Sequence, residues 1–87
     1  SEEKSALNDE MDRLTNMTDD QRIADVADIT GVGYQPSRGG AYRGVLRNPR
    51  GNDKTTFSVK TYGAYGAKMN AIETVRKNKR AVKFFPL

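Results

Sequence analysis

Leu7, Met11, Leu14 and Met17 recur at intervals of four and three residues, which predicts a helix over about 6–16 with these side chains along one side. Such a stripe needs a surface to pack on. The run Thr18-Asp19-Asp20-Gln21 then has the form of a capping box, in which the Thr18 hydroxyl accepts from the third helical amide and the Gln21 side chain reaches back. A second short helix follows. Its apolar stripe is Ile23, Val26, Ala27 and Ile29, its first turn carries two carboxylates that suit the helix dipole, and Gly31 stops it.

From Gly31 the texture changes to glycine punctuation and short β-prone runs, which predicts a meander of three strands. The first covers 31–35 and ends in Pro36-Ser37-Arg38-Gly39-Gly40, whose Pro and paired Gly supply turn geometry. The second covers 41–47, and a turn over 48–53 leads to the third, 54–62. On the third strand Phe57 and Val59 face the core while Thr56, Ser58 and Lys60 alternate outward. On the second, Arg43, Val45 and Arg47 share one face and Tyr42, Gly44 and Leu46 the other. Gly44 either admits a close backbone approach or marks a bulge. Past Gly63, a helix is predicted over 64–78, with Ala64, Ala67, Ala71, Ile72 and Val75 on one stripe, widened by Tyr65 and Met69. Its small alanines let the axis lie close across a sheet, and Lys68, Glu73, Arg76 and Lys77 stay solvated. The expected fold is therefore α+β: a three-stranded antiparallel sheet packed on one C-terminal helix, with short N-terminal helices. Residues 1–30 form a helical arm, 31–80 the sheet-plus-helix module, and 81–87 a basic and apolar C-terminal tail.

Charge sharpens this division. The 87 residues carry a net charge of +4, but residues 1–30 hold nine acids against three bases, a net of −6. Residues 31–87 hold twelve bases against only Asp53 and Glu73, a net of +10. That surplus suits a polyanion binder, because each phosphate neutralised releases condensed counterions. The plainer reading of the same charges is a solvated surface.

The chain has no Cys and no His, which removes disulfides, zinc sites of the usual ligands, thiol nucleophiles and any imidazole base. Neither Asp53 nor Glu73 has a candidate catalytic companion near it in sequence, and the glycine pairs lack the lysine-bearing spacing of a phosphate-cradling loop. No enzyme, metal or cofactor is expected. No apolar run reaches 18 residues, so a soluble chain without a membrane span is expected. Its first residue is Ser1 and not Met, as expected of an excised fragment or of a chain that has lost a targeting peptide.

Residues 31–80 carry wording that resembles a known module. Phe57-Ser58-Val59-Lys60-Thr61-Tyr62-Gly63, followed by Ala64-Tyr65-Gly66-Ala67-Lys68 and then Ala71-Ile72, is similar to the apetala-two (ethylene-response-factor-like) domain, closest to its apicomplexan branch. Gly31-Val32-Gly33-Tyr34 resembles that family's first strand, and Tyr42-Arg43 stands where its second strand often carries tryptophan. The chain itself has no Trp. The resemblance implies a three-stranded sheet laid in the DNA major groove with the helix packed behind it.

Duplex recognition in a transcription regulator is accordingly the first expectation, with DNA as partner and the nucleus as compartment. Arg43 and Arg47 are the base-edge candidates, since an Arg fork matches guanine O6 and N7. Arg38, Arg50, Lys54, Lys60, Lys79 and Arg80 are phosphate candidates, and Tyr34 and Tyr42 are candidates to stack or fill the rim. Leu7, Met11 and Leu14 on the arm, with Phe84, Phe85 and Leu87 in the tail, are candidates for partner docking. One alternative gives the same basic surface to ribosomal RNA, with neighbouring ribosomal proteins, as a structural subunit of a ribosome in a mitochondrion or other organelle. Another is a protein-interaction module whose basic face meets an acidic partner.

Overall fold

The computed structural model describes residues 2–80, and the side chains of these apart from 2–4, 47, 48 and 77–80. Helices α1 (Glu2–Asn16) and α2 (Asp19–Asp25) come first. Strand β1 (Val32–Gln35), a short 3-10 turn (Ser37–Gly39), strands β2 (Ala41–Asn48) and β3 (Gly51–Ser58), and helix α3 (Val59–Arg80) follow. The strands pair antiparallel in the order β1-β2-β3, so the chain adopts the expected α+β arrangement. The capping box of α2 is complete. Gln21 N–H donates to Thr18 Oγ1 at 3.1 Å, and Thr18 N–H donates to Gln21 Oε1 at 2.9 Å.

The third strand is shifted from its predicted span. Asn48 pairs directly with Gly51, so the connection shrinks to Pro49-Arg50 and β3 starts three residues early. It also ends early, at Ser58, because the Ser58 hydroxyl accepts from the N–H groups of Lys60 (3.1 Å) and Thr61 (3.3 Å) and caps a helical turn. Local capping outweighs the β-preference of Val59, Thr61 and Tyr62. Gly63, at φ 77° and ψ 161°, separates this first turn from the long body of α3, a backbone conformation that glycine adopts without strain.

The core forms between the sheet and α3. Val26, Tyr34, Tyr42, Ala67 and Ala71 are buried together, with Ile29, Val32, Phe57 and Val59 packed against them. Of the two readings of Gly44, close approach is the one realised: a Cβ there would stand 2.8 Å from the Ala71 carbonyl oxygen. With Ala67 and Ala71 fully buried, strand and helix backbones nearly touch, which is what small residues on both surfaces permit.

The arm joins this core. Leu14 and Val26 are among the most buried side chains, at 0% and 1% exposure. Arg22 is the fastener. It is buried, and its guanidinium donates to the carbonyls of Leu14 (3.1 and 3.3 Å) and Thr15 (3.0 Å) at the end of α1 and to the Tyr34 hydroxyl at 3.1 Å. The Tyr34 hydroxyl in turn donates to Asp19 Oδ1 at 2.7 Å. Lys68, expected in solvent, is buried: its Nζ lies 2.6 Å from Asp25 Oδ2, tying α3 to the end of α2. A buried ammonium with a carboxylate at that distance keeps its charge compensated.

Candidate nucleic-acid interface

Antiparallel register settles which strand residues share a face. Val32 pairs with Gly44, Tyr34 with Tyr42, and Tyr42 with Phe57; these side chains meet α3. Gly33, Arg43 and Thr56 stand abreast on the other surface, as do Gln35, Ala41 and Ser58, then Val45 with Lys54 and Arg47 with Asn52. That surface faces away from α3. Among the described residues it presents no acidic position, because Asp53 pairs with Leu46 on the opposite face. The arm's carboxylates that contact the module, Asp19 and Asp25, meet Tyr34 and Lys68 on the helix side.

The dimensions suit a groove. Two interstrand steps span roughly 10 Å, and Arg43 and Arg47, four residues apart on one strand, start roughly 13 Å apart. The major groove of B-DNA is about 12 Å wide. At the end of the open face, Gln35, Ser37, Arg38, Gly40, Ala41, Thr56 and Ser58 line a shallow groove of about 590 Å³. The charged residue of that lining is Arg38, an exposed turn residue held at φ 57°.

Arg43 is the best-defined cation of this face. Nη1 donates to Gln35 Oε1 at 3.0 Å, and Gln35 Nε2 donates to Ser37 Oγ at 3.4 Å. The guanidinium lies across Gly33, where a Cβ would stand 3.3 Å from Arg43 Nε and 3.7 Å from Nη2. Lys54 is exposed on β3, and Arg50 is exposed in the Pro49-Arg50 turn. Lys60 is exposed too, but in the first turn of α3 and not on a strand, its stem 3.5 Å from where a Gly39 Cβ would stand. Arg47 occupies β2, and Lys79 and Arg80 the end of α3; their side chains lie outside the described residues.

The two tyrosines are a correction. Tyr34 and Tyr42, expected to stack or line a rim, are 7% and 0% exposed and meet edge to face at 4.9 Å beneath the arm. Burial pushes the Tyr42 phenol up to about 12 and raises that of Tyr34. Leu14 is likewise core and not a docking residue, whereas Leu7 and Met11 remain exposed at 44% and 41%. Phe84, Phe85 and Leu87 lie outside the described residues.

Two contributors had little signal in the sequence. Arg22 reads as a solvated base in an acidic helix, and its three carbonyl contacts depend on how α1 and α2 fold together. Gln35 reads as a strand end, and only the pairing of β1 with β2 brings it diagonal to Arg43. Compared with family models, with curated proteins and with solved structures, the chain matches none.

Proposed function

We propose that this chain is a duplex DNA-binding module of a transcription regulator, reading a short site through the open face of its sheet. The carrying observation is a sheet surface with Arg43, Arg47 and Lys54 among its positions, no carboxylate among the described residues, and the acidic arm fastened behind it. Arg43, and Arg47 one groove-width along the strand, address base edges. Lys54 on the face, with Arg38, Arg50 and Lys60 beyond the strand ends, addresses phosphates, and Lys79 and Arg80 add charge at the end of α3. The resemblance of residues 31–80 to the apetala-two domain supports the same reading. Tyr34 and Tyr42 have no part in contact with DNA; they hold the sheet to the helices.

The test is selection by the purified chain from random DNA duplexes and, in parallel, from total RNA. An enriched duplex motif is expected, with affinity falling as salt rises along a slope of about −0.9 per phosphate engaged. A flat salt response refutes polyanion binding. Enrichment of structured RNA alone would transfer the face to the second reading, a ribosomal subunit, which the exposed Leu7, Met11 and Ile23 of the arm favour as sites for neighbouring proteins.

A further inference from the structure

We infer that Gln35 and Gly33 are positioning residues that pre-aim the Arg43 guanidinium, so that specificity of the open face depends on β1 as much as on the arginine itself. This rests on the duplex-reading function proposed above and extends it to residues that carry no charge.

An arginine on an exposed strand ordinarily samples many rotamers, and ordering it on binding costs about 0.5–1.5 kcal/mol for a rotamer-rich side chain. Here three features order it beforehand. Gly33, directly opposite Arg43 in the β1–β2 register, offers no side chain, so the guanidinium can lie over the neighbouring strand. The Gln35 carbonyl oxygen accepts from Nη1 at 3.0 Å. Ser37 then accepts from the Gln35 amide nitrogen at 3.4 Å, which fixes which end of the amide faces Arg43. Only Nη1 is engaged in this contact, and Gln35 is neutral, so the cation keeps its charge and further donors for a base edge. A carboxylate at position 35 would hold the arginine more firmly but would add a negative charge to a surface that has none among the described residues. Glutamine supplies the acceptor without that repulsion. The test therefore separates position from charge.

Three variants serve: Gln35→Met removes the acceptor and keeps the stem, Gly33→Ala places a methyl 3.3 Å from Nε, and Gln35→Glu keeps the acceptor and adds charge. In the unbound protein, ¹⁵N relaxation of the Arg43 Nε–Hε group should show an ordered side chain that Gln35→Met mobilises and Gln35→Glu retains. For the duplex enriched by the wild-type chain against a scrambled duplex, Gln35→Met and Gly33→Ala should each lower discrimination by roughly three- to tenfold, part of what a bidentate base contact supplies. Their salt slopes should stay at the wild-type value. Gln35→Glu should keep discrimination and weaken both duplexes alike.

If Arg43→Ala lowers discrimination while Gln35→Met and Gly33→Ala leave it within about twofold of wild type, the positioning role is overturned and the duplex-reading function stands. If Arg43→Ala changes nothing, or no duplex is enriched, the base-reading role of this face fails and the inference with it. Unchanged Arg43 relaxation in Gln35→Met overturns the positioning role without reference to any nucleic acid.

Discussion

Tyr42→Phe removes one hydroxyl from the best-buried aromatic ring among the described residues. Tyr42 is 0% exposed, and its Oη has no hydrogen-bond partner among those residues. Leaving a polar group buried and unpaired costs about 1–3 kcal/mol, whereas the ring's packing and its edge-to-face contact with Tyr34 survive in phenylalanine. The variant should therefore be more stable than wild type at pH 7 by about 1 kcal/mol, or about 4–8 °C in Tm for a domain of this size. Alkaline pH supplies a second, independent reading. The folded phenol titrates at about 12 against a usual value of 10.0. Above pH 10 the unfolded chain releases a proton that the folded chain retains, so wild-type stability falls as pH rises toward 12. At 1.36 kcal/mol per unit, that loss approaches about 2–3 kcal/mol, and the variant, which has no phenol at this position, is spared it. Urea unfolding followed by circular dichroism, with both proteins compared at pH 7, 10.5 and 11.5, measures the gap directly. Groups the two proteins share, including Tyr34, cancel in the comparison. A variant less stable than wild type by about 1 kcal/mol or more at pH 7, or a gap that stays constant from pH 10.5 to 11.5, refutes the reasoning, because it would mean the hydroxyl is well solvated or well bonded.

Gly44→Ala places a methyl 2.8 Å from the Ala71 carbonyl, where neither backbone can yield cheaply. A loss of about 1–3 kcal/mol in urea unfolding is expected, and an unchanged midpoint would argue that α3 stands off the sheet. Thr18→Ala breaks the side-chain cap on the Gln21 amide and with it the reciprocal capping box. It should cost about 1 kcal/mol, with faster amide hydrogen exchange over residues 19–25 as the local readout. In duplex binding, Arg43→Ala should reduce discrimination between sites by about 1–3 kcal/mol. Lys54→Ala should instead weaken all duplexes alike and lower the salt slope by about one unit. Electrophoretic mobility shifts over a salt series distinguish the two, and identical profiles for both variants would contradict their assigned roles.

What is readable in the sequence follows from short-range rules. The alternation of Arg43, Val45 and Arg47 against Tyr42, Gly44 and Leu46 has the period of a strand, and Thr18 with Gln21 states a helix start within four residues. The alanines at 64, 67 and 71 announce a close helix because little else fits such a stripe. Most of the misplaced features depend on partners distant in sequence. Lys68 looks solvated because its carboxylate, Asp25, lies 43 residues away. Tyr34 and Tyr42 look available to a ligand because the groups that close over them, Arg22 and Val26 before the sheet and Ala67 and Ala71 after it, come together only in the folded chain. At Val59–Tyr62 two local preferences compete, and the Ser58 hydroxyl, by capping two amides at once, decides for helix. Gln35 belongs with the distant-partner cases: its hydrogen bond from Arg43 forms only after two strands have paired.

The fastening of the acidic arm on the helix side gives the molecule an electric polarity. Among the described residues, the sheet face turned away from α3 carries bases and no acidic position, whereas the arm behind it has a net charge of −6. On the duplex-binding function proposed above, the field of the double helix would exert a torque on this uneven charge that turns the sheet inward and disfavours collisions on the reverse side. Once the sheet is seated, screening over about 8 Å at physiological ionic strength is short beside even the smallest molecular extent, 23 Å. On that proposal the arm's negative charge would orient the approach while adding little repulsion to the docked complex.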